Sequence, residues 1–317
     1  MDYASNLYSH DLHTQLTQWL NKPTLVKDSA KWLLIDATLL EQNAFVRLMK
    51  PYENTYLHNV FTKSRFEVYG LHAPHLFHIG QLDQQAQSAF LADVLILCNG
   101  IPALAALDAC DDATSLAQGL AWFAQAYTPD GLELYCRLAD TRITPGLVQV
   151  MDEDQRIKLG QNILQWQVVN RLGTLDALLP NIQAQHDGKT PFKKFASSKP
   201  FTLTDAQFAA LMQKSEPDTL FQMLLESNPD LVPATNRALF HQRLDTIVER
   251  AHQHEIQSST DLFLFTIVAL TTHDKFDTHP VLEETWANIK QKGTSFNKLV
   301  NAWPKKIWDE LSHAAAA

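Results

Sequence analysis

An α/β fold, with an N-terminal mixed sheet flanked by helices and a C-terminal all-helical lobe, is predicted by three observations. Over residues 1–182, apolar runs of strand length alternate with apolar residues at helical spacing. Between 183 and 200 this pattern collapses into polar, turn-forming residues. From 201 to 317 the apolar residues recur at helical spacing alone. The chain therefore reads as an α/β domain at 1–182, a linker at 183–200 and a helical lobe at 201–317.

The elements follow in order. Residues 12–20 carry apolar side chains at helical spacing, and 32–37 form a short buried strand. Residues 39–49 turn helical, with Leu40, Val46 and Leu48 apolar against Glu41 and Arg47. Residues 76–79 read as a strand. The continuous apolar run 94–98, closed by Asn99-Gly100, reads as a central strand. Residues 101–107 and 116–127 read as helices, and 132–138 and 163–169 as strands. The linker is polar from Gln183 to Pro191 and continues through Lys193, Lys194, Ser197, Ser198 and Lys199.

Beyond it, Thr204 and Gln207 form a capping-box pattern, in which each side chain reaches the other's backbone amide. Phe208, Leu211 and Met212 line the helix that follows. Phe240, Leu244, Ile247, Val248 and Ala251 make one apolar face of the next, with Arg243, Glu249 and Arg250 turned away. Ser259, Thr260 or Asp261 caps the helix carrying the run 262–270, which is apolar nearly all round and so central. Pro280 suits the first turn of a helix with Leu282, Trp286 and Ile289. Ser295 opens the last helix, with Phe296, Leu299, Val300 and Trp303, and 314–317 reads as either an added remnant or a frayed tail.

Composition excludes several classes. With 45% hydrophobic and 19% charged residues the chain is globular rather than disordered. Its net charge is -9, and no run of Lys and Arg exceeds two residues. Nucleic-acid binding wants a basic stripe, so no nucleic acid is expected as a partner. Cys98, Cys110 and Cys136 have no paired spacing and lie in apolar surroundings, as reduced cytosolic thiols do. The start of the chain lacks the basic and apolar segments of a signal peptide. The run 262–270 is far short of the ~20 residues that span a bilayer. A cytoplasmic protein with no stable membrane association is expected.

Chemistry-bearing motifs are scarce. His72, His75 and His78 are three apart, so in a strand His75 opposes the other two, and Pro74 disfavours the helix that would align them. No metal site is expected there. His-Glu-x-x-His, the Gly-rich phosphate loops and Gly-x-Ser-x-Gly are all absent from a chain with only 10 glycines. Asn99-Gly100-Ile101-Pro102 reads as a plain strand-to-helix turn. No cofactor is expected. Cys136, beside Arg137, reads as a core residue rather than an activated thiol. Asp36 and Asp140 sit near strand ends, where carboxylates accept backbone amides or pair with arginine. The competing reading is a hydrolase-like α/β enzyme using Asp36, Asp140 and a histidine.

The most informative segment runs from Thr128-Pro129-Asp130-Gly131 to Asp140-Thr141-Arg142. Pro presets φ, Asp closes the turn and Gly131 takes positive φ. Arg137 and Asp140 then satisfy each other or nearby backbone at the end of an apolar strand. This stretch resembles the P-D-G … R-x-x-D-P-R signature of the type VI secretion effector chaperone/adaptor family (domain of unknown function 4123). The strand ending in Asp36-Ala37, the Pro74 strand, Trp166 and the Phe276-Asp277-Thr278-His279-Pro280 element resemble further blocks of that family in the same order. His75 stands where an aromatic residue is more usual, and Thr141 where the family often has Pro.

The resemblance implies structural roles for Asp36, Pro74, Asp130, Gly131, Arg137, Asp140, Arg142, Trp166, His279 and Pro280. It implies a non-enzymatic chaperone/adaptor that binds the N-terminal region of a cognate type VI effector toxin. Such a protein helps load the toxin onto the valine-glycine-repeat spike protein, a second candidate partner. A structural subunit of the secretion apparatus is a third reading.

Overall fold

The computed structural model describes residues 3–24, 26–53, 55–178, 192, 194–197 and 199–316. The chain divides into two compact units, Met1–Gln213 and Lys214–Ala317. In the first, the helices in chain order are α1 (Leu12–Asn21), α2 (Gln42–Met49), α3 (Gln84–Cys98), α4 (Ala113–Ala124), α5 (Thr144–Val150) and α6 (Glu153–Leu159). The strands are β1 (Ser29–Asp36), β2 (Leu57–Asn59), β3 (Pro74–Phe77), β4 (Leu104–Cys110), β5 (Gln125–Tyr127), β6 (Glu133–Tyr135), β7 (Ile163–Val169), β8 (Leu175–Ala177) and β9 (Phe201–Thr202).

Six strands form one sheet in the order β2-β3-β1-β4-β7-β8, antiparallel throughout. Among the described residues parallel pairing occurs in a second sheet of order β6-β5-β9, where β9 runs parallel to β5. The large sheet has apolar side chains on both faces. Along β1, Trp32 and Leu34 enter one core with Leu107, Leu120, Leu147 and Trp166. Leu33 and Ile35 enter the other with Leu16, Phe45, Phe77, Phe90 and Leu104. Period-two alternation between two covered faces buries β1 and β4 on both sides, with Lys31 and Asp108 a charged pair within them.

The helix expected at 116–127 ends with α4 at Ala124, and 125–127 is strand β5. Double burial accounts for the larger exchange of element types at 94–107. Residues 94–98, expected as a strand, are the last turn of α3, and part of the segment expected as a helix at 101–107 is the start of β4. An apolar run does not distinguish a buried strand from a buried helix turn. In α3 the buried side chains Phe90, Leu91, Val94 and Cys98 keep helical spacing. The alanines of β4 favour helix intrinsically, but a central strand between two covered faces overrides that preference. Asn99-Gly100 therefore ends a helix instead of opening one, with Gly100 at φ +74 just past the cap. The strand expected at 132–138 is limited to β6, since Cys136 and the residues after it leave the ladder.

Residues 183–191, 193 and 198 of the proposed linker lie outside the described residues. The described part is held by the first unit. The Phe195 amide donates to Ser115 Oγ at 2.8 Å, and Trp122 Nε1 donates to the Lys199 carbonyl at 2.8 Å. Phe201 and Leu203 then bury completely in the core of Trp32 and Trp166. A fragment ending at residue 183 is expected to lose β9 and both anchors, each worth about 1.5–3 kcal/mol of burial. It should aggregate and bind a hydrophobic dye, whereas a fragment ending at Gln213 should remain soluble. Equal solubility of the two would show that β9 is dispensable.

The boundary between the units falls within α7 (Asp205–Ser227), whose start carries the expected capping box. The Thr204 amide donates to Gln207 Oε1 at 2.9 Å, and the Gln207 amide donates to Thr204 Oγ1 at 3.2 Å. The second unit contains α8 (Arg237–Gln253), α9 (Ser259–Thr271), α10 (Glu283–Lys292), α11 (Phe296–Asn301) and α12 (Lys305–Ala316). Phe240, Leu244, Ile247, Val248 and Ala251 form the buried face of α8 as expected. Phe265, Phe276, Trp286 and Phe296 make an aromatic core.

Ser258 caps α9, one residue before the expected candidates. Asp261 is used differently. Its carboxylate accepts the Phe296 and Asn297 amides at 3.2 and 2.9 Å, and so caps α11 from a neighbouring helix. A further helix, α12, follows the one expected to be last and takes in 314–316 of the expected tail.

Candidate functional site

The signature segment begins as a tight hairpin turn between β5 and β6. The Gly131 amide donates to the Thr128 carbonyl at 2.9 Å, with Gly131 at φ +85, a conformation that side chains resist. Asp130 accepts from the Thr128 hydroxyl and then from the Leu132 amide, and these two bonds hold its carboxyl below its ordinary pKa. Asp130 and Gly131 are thus exposed turn residues.

Where β6 ends, two aspartates and two arginines meet. Asp140 is fully buried. Its oxygens accept from the Arg142 amide at 3.1 Å, Arg142 Nε at 3.0 Å and Arg142 Nη2 at 2.7 Å. Arg137 lies between the carboxylates. Its Nη1 is 3.6 Å from Asp140, and its Nη2 donates to Asp36 at 3.2 Å and to Thr38 Oγ1 at 2.8 Å. Asp36 ends β1 and also accepts from the Thr38 amide at 3.1 Å. The expected Arg137–Asp140 partnership is therefore shared: Arg142 holds Asp140 most closely, and Arg137 ties it to Asp36.

Pro74 belongs beside this brace, because it pairs with Asp36 across β1 and β3. Its missing amide costs the sheet nothing at the first residue of a strand. Thr141 donates its amide to the Pro102 carbonyl at 2.9 Å, a bond that proline at this position lacks. The Asp140 carbonyl then starts α5 by accepting the Thr144 amide and hydroxyl.

Trp166 stands elsewhere. It is fully buried in β7 opposite Leu107, and its Nε1 has no hydrogen-bond partner. His279 and Pro280 lie in the second unit, where His279 Nδ1 accepts the Val281 amide at 3.3 Å ahead of α10.

Next to the brace is a surface that the sequence reading missed. The 3-10 segment Arg65–His72 exposes Val68 (85%) and Tyr69 (48%), and Tyr135 of β6 is 42% exposed. The rings of Phe61, Phe66, Tyr69 and Tyr135 lie 5.2–6.4 Å apart by centroid. Burial, with the nearby charge of Asp36 adding to it and Arg137 opposing, raises the Tyr135 hydroxyl well above its ordinary pKa. Arg65 of the 3-10 segment pairs with Glu133 of β6. The sequence carries little signal for it, since Tyr135 lies in a run that reads as an apolar strand.

A second unread feature is the buried pair of Lys31 and Asp108 on adjacent strands, 2.8 Å apart, with Trp19 Nε1 donating to the same carboxylate. Lys31 also lines a hollow of about 380 Å³ with His78, Gln87 and Asp111. His78 stacks on Trp32 at 4.0 Å and lies 3.3 Å from Asp111. Burial lowers its pKa, with Asp111 opposing.

His72 is exposed, whereas His75 and His78 are buried beside different rings, Phe45 and Trp32. Among the described residues no group of three or more His, Cys, Asp or Glu side chains is placed to hold a metal ion. Burial pushes the thiols of Cys98, Cys110 and Cys136 up to about 12, so Cys136 gains no activation from its neighbour Arg137. No helix among the described residues is long and apolar enough to cross a membrane.

The brace, the hairpin and the aromatic surface all fall within one segment of the chain. Residues 31–158 match the model of a domain of unknown function, DUF4123. The match takes in Asp36, Pro74, Asp130, Gly131, Arg137, Asp140 and Arg142, and it covers less than half of the chain. No curated protein and no solved structure matches this chain.

Proposed function

We propose that this protein is a type VI secretion effector chaperone/adaptor. It binds the N-terminal region of a cognate toxin and helps load it onto the spike protein, acts in the cytoplasm and uses no cofactor. The observation that carries the reading is the DUF4123 match over the segment that bears the Arg137 brace. The aromatic surface beside that brace supports it, because apolar and aromatic side chains with a polar rim are what a protein partner engages.

Asp36 and Asp140 serve this function as braces. Each is spanned by arginine and takes a backbone amide, which fixes both carboxylates in place as structural acceptors. Binding is the whole mechanism, so no transition state is stabilised.

Co-expression with the toxin encoded beside this chain tests the reading. The full-length chain should co-purify with the toxin and keep it soluble. Tyr69→Ser and Tyr135→Ser together should weaken that retention by more than their loss of melting temperature accounts for. A toxin that is equally soluble alone and never retained would refute the adaptor reading.

A further inference from the structure

β6 is the outer strand of its sheet, and its far edge pairs with no strand among the described residues. Its hydrogen-bond parity follows from the register. The Thr128 amide donates to the Leu132 carbonyl at 3.0 Å, and the Cys136 amide donates to the Ala124 carbonyl at 2.8 Å. Leu134 opposite Ala126 is the pair between these two, so the backbone of Leu134 faces β5. The N–H and C=O groups of Glu133 and Tyr135 consequently point the other way, toward the open edge.

The side chains of these two residues share one face. Glu133 reaches Arg65, and Tyr135 packs against Phe61, Phe66 and Tyr69. The adjoining charges are already matched within the chain, Glu133 by Arg65 and Arg137 by Asp36. A strand laid along this edge would gain two backbone donors and two acceptors. It would set a side chain beside Tyr135 on the aromatic face and run past the matched pairs Glu133–Arg65 and Arg137–Asp36.

We infer that the cognate effector is captured by strand addition: a short, extended, uncharged segment of the toxin pairs with the open edge of β6, with an apolar side chain against Tyr135 and Tyr69. This rests on the adaptor reading above. The edge specifies the occupant's backbone, the matched charges specify an uncharged sequence, and the rings specify the apolar side chain. The shortness of β6 limits self-pairing and suits a partner that must later be released.

Glu133→Pro separates backbone pairing from side-chain contact. Proline there removes an N–H that faces the open edge and spares the Leu134 bonds to β5. Glu133→Ala removes the same side chain and keeps the N–H. With the full-length chain and the adjacent toxin as probe, Glu133→Pro should weaken retention about tenfold relative to Glu133→Ala, the size expected for one lost hydrogen bond with its partner left unsatisfied. Amide exchange provides a readout that needs no variant. In the wild-type complex the Glu133 and Tyr135 amides should gain protection relative to the free chain.

Equal retention by both variants, with these amides still exchanging freely, would overturn strand addition and leave the adaptor reading intact. A wild-type chain that retains no toxin would remove both. Protection of the same amides in the free chain at high concentration, abolished by Glu133→Pro together with a dimer, would assign the edge to a second copy of this chain and overturn the inference.

Discussion

Asp140→Ala is expected to lower the stability of the first unit by about 3 kcal/mol, the lower end of the range for removing one partner of a buried ion pair. The carboxylate is fully buried and takes three hydrogen bonds from Arg142, so the loss includes more than a Coulombic attraction. Two further consequences add to it. Arg137 loses one of the two carboxylates it spans, which loosens the tie between the end of β1 and the turn after β6. The turn that starts α5 loses its side-chain support, although the Asp140 carbonyl still accepts the Thr144 amide.

Arg137→Ala should cost less, because that side chain is partly exposed and Asp36 keeps its bonds to Thr38. Urea unfolding of the two variants checks the order. A toxin-retention defect in Asp140→Ala should track its loss of stability. If Asp140→Ala melts like the wild type yet fails to retain toxin, the aspartate is a contact residue and the brace is not structural.

How far this could be read from sequence follows from where the constraints are local. The hairpin at Thr128-Pro129-Asp130-Gly131 was legible because every residue in it has a turn-specific reason to be there. The α8 face and the Thr204–Gln207 box were legible for the same reason, as periodicity and capping are properties of neighbours along the chain. The identity of α3 and β4 was not. Both are apolar, and only the two-faced sheet, assembled from strands that run from Ser29 to Ala177 along the chain, decides which one is extended.

The brace was half legible. Arg137 and Asp140 stand out three residues apart, but Asp36 reaches them only through the β1–β3 and β1–β4 register. The same holds for Lys31 and Asp108, which face each other solely because β1 and β4 pair at that step. The aromatic surface escaped notice because exposure is not written in residue type. Tyr69 and Tyr135 look like core candidates until the strand edge and the 3-10 segment leave them in solvent.

Acid is expected to destabilise the protein through His75, where the chain carries histidine at a buried strand position. The ring is 3% exposed, beside Phe45 at 5.3 Å, and its Nδ1 has no hydrogen-bond partner. Burial lowers its pKa from 6.5 to about 4, with only the Ala73 backbone opposing. In the unfolded chain the imidazole takes its proton near the ordinary value, whereas in the folded chain it does so only near 4. Between those values the unfolded state binds more protons, so stability rises with pH through that window and falls as the solution is acidified. The full swing from this one residue is about 3 kcal/mol, from a separation of about two to three pH units at 1.36 kcal/mol each.

His78 and His58 are also lowered by burial and add to the same slope, so a single substitution should flatten it only in part. His75→Phe keeps a ring of similar shape, removes the buried orphan nitrogen and abolishes the titration. At about pH 7 it should be as stable as the wild type or slightly more so, since an unsatisfied buried polar atom is replaced by an apolar one. At about pH 4.5 the variant should exceed the wild type by more than 1 kcal/mol, well inside the swing expected for a group titrating across that window. Denaturant midpoints measured at the two pH values decide the matter. Parallel loss of stability in wild type and variant would mean that His75 is hydrated or partnered in solution and that the acid sensitivity arises at other groups.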